Sequence, residues 1–408
     1  MLPPLLRIAF RNVLRNRRRS IITFSAVFLA LGIMVGLRGF LNGMQENIRE
    51  SVVLGQTGAL QVHRKGFLKS VNTSSLDLNL PADAAFFSKI LAVPGVKAAT
   101  ARIAFGGMAN ANDSSAAALF AAIDPPREIA VCPRRLEMIS SGKQLTESGP
   151  ASGIFTPELA ASLGLKLGAK ATLLTNDRDG VMNALEVDYV GVYGQPGLPL
   201  PEKKIGYVPL AFAQELLRME GRATEIAVAI GHYSEADRIK PRLQAALGPE
   251  YEVSTWHDVA PYIDDAIATQ NFVLNLIAAI FLFVALLGIA NTMLMSVLER
   301  TREIGTMMSV GVRRRQILSL FLLEAALLGL AGGVLGAGAG MVFVLYYGAK
   351  GIVLKFPGML APLHIYPVIG LGYIVFVLAL AAGGAALAAL WPSVRASRMR
   401  PVEALSSV

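Results

Sequence analysis

Four histidines, His63, His232, His257 and His364, are scattered through the sequence. No H-E-x-x-H run and no Cys/His cluster sets metal-ligand spacing, so neither a zinc site nor a nucleophilic triad has a constellation to rest on. Gly168-Ala169-Lys170-Ala171 lacks the upstream glycine and the hydroxyl of a phosphate-cradling loop. Asp264 and Asp265 adjoin a long apolar run and read as a solvated face. What remains is charge set against apolar helix. Between Leu298 and Gly336 stand Glu299-Arg300, Arg302-Glu303, Ile304-Gly305, Met307, Met308, Val310, Gly311 and Arg313 to Arg315. Mixed charge with methionines on a short helix suits docking into a partner's groove. The same pattern suits a helix lying in lipid headgroups. Met307, Met308 and Val310 read as an exposed apolar edge. Glu324 lies inside the next apolar run, about 12 Å from its start at helical rise. A carboxylate at that depth requires a partner. It reads either as pairing with the Arg-rich link or as a proton-coupling group.

The elements that position this link are apolar. The chain has 408 residues, 53% hydrophobic and 16% charged, more apolar than a soluble domain. Four runs reach membrane-spanning length: Ile21–Leu37, Phe272–Val297, Ile317–Tyr347 and Val368–Leu390. The first exceeds a secretory h-region, and no small-x-small cleavage site follows it. Arginine placement orients them. Arg7, Arg11, Arg15 and Arg17 to Arg19 precede the first run, and Arg300, Arg302 and Arg313 to Arg315 fill the link. Arg395, Arg398 and Arg400 follow the last, while the 348–367 loop has only Lys350 and Lys355. The expectation is a cytoplasmic N-terminus, link and tail, with 41–270 outside. Residues 41–270 hold 21 Lys+Arg against 25 Asp+Glu, so the net charge of +9 belongs to the membrane faces and not to a nucleic-acid surface. The single cysteine, Cys132, excludes an intramolecular disulfide.

The 41–270 segment alternates short strands and helices. Ala59–His63, Ala116–Ile123, Ala169–Thr175, Ala184–Val192 and Glu225–Ile230 read as strands. Pro81–Leu91, Pro157–Leu163, Phe212–Met219 and Ser234–Ala246 read as helices. This is an α+β domain, expected to divide near 130–150. Gly32-x-x-x-Gly36 in the first span, and glycines at 329, 332, 333, 336 and 340 in the third, permit close helix approach. The first pair leans toward a contact between chains. The others fit packing within the chain or a dimer face.

At the link the sequence resembles the FtsX/MacB/LolC–LolE permeases of ABC transporters. The resemblance is carried by Glu299-Arg300, Arg302-Glu303-Ile304-Gly305, Gly311, Ile317, Phe321 and Glu324-Ala325. The opening Arg11-Asn12-Val13-Leu14-Arg15-Asn16 and the closing Ala396-Ser397-Arg398-Met399-Arg400-Pro401-Val402-Glu403-Ala404-Leu405 also fit. So do Gly58–His63, Ile123-Asp124-Pro125, Leu159-Ala160, Leu163-Gly164-Leu165 and Gly191-Val192-Tyr193.

The resemblance implies an α-helical membrane protein with four transmembrane helices and a large α+β periplasmic domain between helices 1 and 2. The expected divisions are a cytoplasmic amphipathic segment 1–20, helix 1 at 21–40, the periplasmic domain 41–270 and helix 2 at 271–297. The coupling link 298–316, helix 3 at 317–347, a periplasmic loop 348–367, helix 4 at 368–391 and a cytoplasmic tail 392–408 follow. The chain is expected in the bacterial inner membrane. It is expected to be no enzyme: ATP and Mg would bind two copies of a separate ABC ATPase, and this chain would hold no cofactor or metal. A second permease, identical or not, and a periplasmic lipoprotein carrier or adaptor complete the expected partners. The resemblance assigns ATPase coupling to Glu299, Arg300, Arg302, Glu303, Ile304, Gly305, Met307, Met308 and Arg313. By position it offers Leu37, Phe40, Met44, Phe272, Leu276 and Ile280 as an acyl-chain cavity or plain dimer packing, with Glu324, Gly32 and Gly36 structural. The implied function is mechanotransmission that releases lipoproteins from the outer leaflet. MacB-like efflux and FtsX-like control of cell-wall hydrolases are the alternatives.

Overall fold

The computed structural model describes residues 4–15, 17–68, 76–194, 204–355 and 363–399. Asn16 of the opening motif and Arg400–Leu405 of the closing one lie outside the described residues, as does the tail beyond 399. The chain forms two compact units. One comprises 1–45, 267–352 and 364–408, and the other 46–266 with 353–363.

Two helices open the chain, α1 (Pro4–Arg15) and α2 (Arg17–Val52). The apolar stretch of α2 has no proline, and the amphipathic stretch after Leu41 continues the same helix. A π turn, Val53–Thr57, ends it at Gly58, whose φ of 74° favours glycine.

The inserted domain is built on β1 (Leu60–Arg64), β2 (Leu80–Pro81), α3 (Ala84–Leu91), β3 (Val96–Ala111), β4 (Ser114–Ile123) and α4 (Pro125–Val131). It continues through β5 (Ile139–Gly142), β6 (Ser152–Phe155), α5 (Pro157–Ser162), β7 (Lys170–Asn176), β8 (Met182–Tyr193) and β9 (Ile205–Pro209). It closes with α6 (Leu210–Leu217), β10 (Arg222–Ala223), β11 (Glu225–Ile230), α7 (Ala236–Leu247), β12 (Tyr251–Thr255) and α8 (Trp256–Val259). Local chemistry sets several ends. Asp83 and Asp124 accept from the backbone N–H groups of Phe86 and Arg127, capping α3 and α4. Thr255 and Asp258 form a reciprocal capping box on α8.

Ten strands form one mixed sheet in the order β12-β1-β11-β3-β4-β9-β6-β8-β5, with β7 paired to both β3 and β8. These pairings close β3, β4, β9, β6, β8 and β7 into a ring. The division expected near 130–150 meets a continuous sheet: the long β3 belongs both to the ring and to the β12-β1-β11 side. Phe105 and Phe120 stack with centroids 5.3 Å apart, and Phe155 stacks on Tyr189 at 5.2 Å. Burying aromatics of this size supplies much of the domain's hydrophobic stabilisation.

Four further helices follow: α9 (Pro261–Glu299), α10 (Thr301–Ser309), α11 (Arg314–Lys350) and α12 (Leu371–Ser397), with two short strands, Ile352–Leu354 and Leu363–Ile365, between the last two. Helices α2, α9, α11 and α12 are long and apolar enough to cross a membrane. Helical structure satisfies their own backbone groups, which lipid cannot do. Their shared core includes Leu31 and Val35 of α2, Ile289 and Met293 of α9, Leu328 of α11 and Ala385 of α12. Small residues hold them close. A Cβ on Gly329 would meet Ala385 at 2.5 Å, and one on Gly333 would meet Ala381 at 2.9 Å.

Candidate coupling site

Helix α10 is the nine-residue link between two spans. It stops at Gly311, where φ is 99°. Its apolar side is covered. Ile304 is fully buried against Val297, Ile317, Phe321 and Ala396, with Met307, Met308 and Val312 partly buried on the same cluster. Gly305 is buried as well. The expectation that Met307, Met308 and Val310 form one exposed edge is therefore corrected. Only Val310 is open, at 82% exposure. The methionines are used to seal α10 against the ends of α9, α11 and α12. The open surface is Arg302, Thr306, Ser309 and Val310, continued by Arg313, Arg314, Arg315 and Gln316.

The carboxylates of the link turn toward the N-terminal helices. Arg19 donates to both oxygens of Glu299, at 2.5 and 2.9 Å. Arg15 donates to Glu303 at 2.5 Å, and Arg300 Nε donates to the same carboxylate at 2.8 Å. Hydrogen bonds from Arg300 and Arg15 hold the Glu303 carboxyl below the ordinary carboxylate range, and Glu303 in turn raises Arg15. The resemblance assigns Glu299 and Glu303 to a docking surface; in the structure both are paired within the chain while their side chains stay 48% and 41% exposed.

Arg300 is 9% exposed and reaches Glu324, with Nη1 3.5 Å from Oε2. Asn12 Nδ2 donates to the same oxygen at 3.5 Å. The Arg300 guanidinium also lies over the Phe321 ring, 5.9 Å from its centroid. Glu324 thus has the cationic partner its depth requires.

Gly32 and Gly36 do not await another chain. A Cβ on Gly32 would lie 3.1 Å from the Gly336 carbonyl oxygen, and one on Gly340 would lie 2.7 Å from that of Gly32. Phe343 lies 3.5 Å from the Cβ position of Gly36. The leaning toward an interchain contact is corrected: this face packs α2 on α11.

The six proposed cavity residues separate. Leu37 and Phe40 line an open apolar groove of about 450 Å³ with Phe28, Gly36, Gly340 and Phe343. Met44 Sδ accepts from Gln270 at 3.9 Å. Phe272, Leu276 and Ile280 are 70%, 53% and 56% exposed. They stand two residues out of phase with the buried Leu274 and Ala278, about 200° around α9. A single chain does not gather all six into one cavity, because the small and aliphatic positions of α9 take its inward side.

Residues 275–401 match the FtsX-like permease C-terminal model, a range that contains α10 and its supporting cluster. Over nearly the whole chain the sequence is similar to the uncharacterized ABC transporter permease YvrN of Bacillus subtilis, 26% identical over 420 residues and covering 98% of each chain. The chain carries an FtsX-like permease domain homologous to the ABC permeases YvrN and MacB. It is also similar to the macrolide export ATP-binding/permease protein MacB of Nitrobacter winogradskyi, 28% identical over 418 residues, covering 98% of this chain and 60% of that protein. Among solved structures, the extracellular domain of the noncanonic ABC-type transporter YknZ aligns with 49% of this chain and 100% of its own, at 15% identity and a TM-score of 0.35. The periplasmic region of MacB from Actinobacillus actinomycetemcomitans aligns with 54% and 96%, at 12% identity and a TM-score of 0.37.

Sequence reasoning found the link of this permease but missed its partners. Arg15, Arg19 and Asn12 were read as topology markers or motif letters. Their pairing with Glu303, Glu299 and Glu324 spans 280 to 312 residues of sequence, a separation no local pattern reports. The run of basic residues opposite two link glutamates was the available signal. Among the described residues, no group of three His, Cys, Asp or Glu could hold a metal ion.

Proposed function

We propose that this permease is driven by two copies of a separate ABC ATPase that dock on the open side of α10 and on Arg313 to Arg315, with ATP and Mg²⁺ bound on the ATPase. One observation carries the reading. α10 is sealed to three spans through Ile304 while Arg302, Thr306 and Val310 stay open. A helix fixed on one side and free on the other transmits a push to the spans it is fixed to. The arginine placement puts this side in the cytoplasm, and the inserted domain outside. Photocrosslinking from Val310 in membranes is expected to capture the ATPase, and from the sealed Met307 to capture less. Equal capture from both positions would sink the docking surface.

For the cargo we propose an acylated protein lifted from the outer leaflet and passed to a periplasmic carrier. The support is the apolar groove at Leu37 and Phe40. A second permease, identical or not, would bring the exposed Phe272, Leu276 and Ile280 stripe to complete it. A second reading, export of a small amphiphile or peptide with a periplasmic adaptor, is favoured by the similarity to macrolide export proteins. Crosslinking from Phe40 and Phe272 separates the two. Capture of lipoproteins supports release, and capture of a non-acylated amphiphile supports export.

A further inference from the structure

Arg38 follows directly on the apolar run of α2 and takes no part in coupling. It is partly buried between three helices. Its Nη1 donates to Asn271 Oδ1 of α9 at 3.1 Å, and its guanidinium lies over the Tyr373 ring of α12, 5.6 Å from the centroid. Among the described residues no carboxylate pairs with it. The neighbouring Gln45 is 4% exposed and donates to both Gln270, at 3.0 Å, and Asn271, at 3.2 Å. These amides fix Asn271 as the acceptor that holds Arg38 in place. Among the described residues, one of the five guanidinium donors has a hydrogen-bond acceptor.

A second positive feature converges on the same place. Tyr373 lies in the first turn of α12, a 27-residue helix. Its N-cap is Gly370, which offers no side-chain cap, and the first turn carries no acidic residue. The orphan N–H groups and the helix dipole present partial positive charge there. The chain leading into α12 is held beside α2 by Val368 N–H to the Gly39 carbonyl, at 3.0 Å, and by Asn42 Nδ2 to the Val368 carbonyl, at 3.1 Å. A guanidinium and an uncapped helix N-terminus, both without an acidic partner, make a site for an anion.

Position selects the anion. Arg38 stands 19 residues after Arg19 on one continuous helix, a rise of about 29 Å, close to the roughly 30 Å thickness of the hydrocarbon core. With Arg19 at one headgroup level, Arg38 reaches the other. We propose that Arg38, Asn271 and the α12 N-terminus form a phosphate-binding site that holds the headgroup of an anionic phospholipid in the leaflet opposite the coupling helix. The phosphate replaces the missing carboxylate, and Tyr373 sets the plane of the guanidinium.

The test is native mass spectrometry of the full-length permease released from micelles, with phosphatidylglycerol, diacylglycerol and inorganic phosphate as separate probes. Wild type is expected to retain phosphatidylglycerol and not diacylglycerol. Arg38→Gln is expected to lower retention about tenfold, the scale of one charge-assisted hydrogen bond, with Arg38→Lys between. Gly370→Asp is the second variant. Its φ of −84° suits any residue and its Cβ position is open, so it caps α12 and sets a carboxylate at the site while keeping Arg38. It too is expected to lose phosphatidylglycerol, with an unchanged melting temperature. Displacement by millimolar inorganic phosphate would support the site and name solution as the source of its ligand. Resistance to it would name the lipid. Equal retention of phosphatidylglycerol by wild type and both variants, or equal retention of diacylglycerol and phosphatidylglycerol, would overturn the proposal.

Discussion

Two clusters of arginine and glutamate, one in the inserted domain and one at the coupling helix, use the same chemistry for opposite ends. In the domain, Arg102 donates to both oxygens of Glu128, at 2.6 and 3.0 Å, and to Glu225 at 3.1 Å. Arg135 Nε lies 2.9 Å from Glu128 as an ion pair, without hydrogen-bond direction. Arg102 and Arg135 also donate to the Gln56 carbonyl, at 2.7 and 2.9 Å. Arg102, Glu128 and Arg135 are all buried. At the coupling helix, the side chains of Arg15 and Glu303 are 64% and 41% exposed, and those of Arg19 and Glu299 are 27% and 48% exposed. Water screens this second set and competes for it, whereas the first cannot part without leaving bare charge in the interior. The buried cluster fixes the start of the domain. The exposed one can open and reform, as the coupling proposed for the link would require.

The largest effect should come from the buried set. Glu128→Ala leaves Arg102 and Arg135 without their shared anion and is expected to destabilise the inserted domain by about 3–5 kcal/mol. Thermal melting read by the fluorescence of Trp256, which is 2% exposed, would detect it. A change below about 1 kcal/mol would erase the distinction between the clusters.

Arg300→Met comes next, since Arg300 is the one member of the link set that is itself buried. It leaves Glu324 with Asn12 alone, and a loss of about 2–3 kcal/mol is expected in detergent melting. Smaller again is acid sensitivity. Burial pushes Glu128 up, but the charges of Arg102 and Arg135 outweigh it and hold its carboxyl below the ordinary range. A depressed folded value means that the stabilisation is whole above the unfolded value, about 4.3, and is lost as pH falls through the folded one. The Glu128 contribution to the Trp256 transition should hold from neutrality to about pH 4.3 and fall only below it. The buried His63, held neutral by its burial, adds a separate loss as pH falls below about 6.5. An acid profile unchanged in Glu128→Gln would contradict the assignment.

Arg15→Ser should be the mildest. No measurable change in melting is expected, and its consequence should appear in ATPase stimulation by the permease. Raising salt to about 1 M, where the Debye length is about 3 Å, should mimic that variant and leave the Trp256 transition in place.

The spans were legible because apolar length is a local property, and Glu225–Ile230 was read to its exact ends as β11. The 16-residue β3 was not foreseen. Its alanines and its Gly106-Gly107 pair give no clear alternation, and its strand state is imposed by partners on both sides. The same limit applies to the site. Ile304 and Gly305 could be read as part of a coupling element from their motif, but which side faced inward depended on Ala396 of α12 and Ile317 of α11. Met307 and Met308 looked like a surface for the same reason that they make a good seal: both uses need flexible apolar side chains. The inward phase of α9 was likewise hidden, because its spans are apolar all round.

The central claim, that force enters at the open side of α10, is tested most directly by one labelling measurement. Thr306→Cys places a thiol on that side, and the native Cys132 is buried. Membranes holding the permease alone and the permease with its ATPase would be compared for maleimide modification at position 306. The account expects ready labelling without the ATPase and strong protection with it. Equal labelling in both membranes would contradict it.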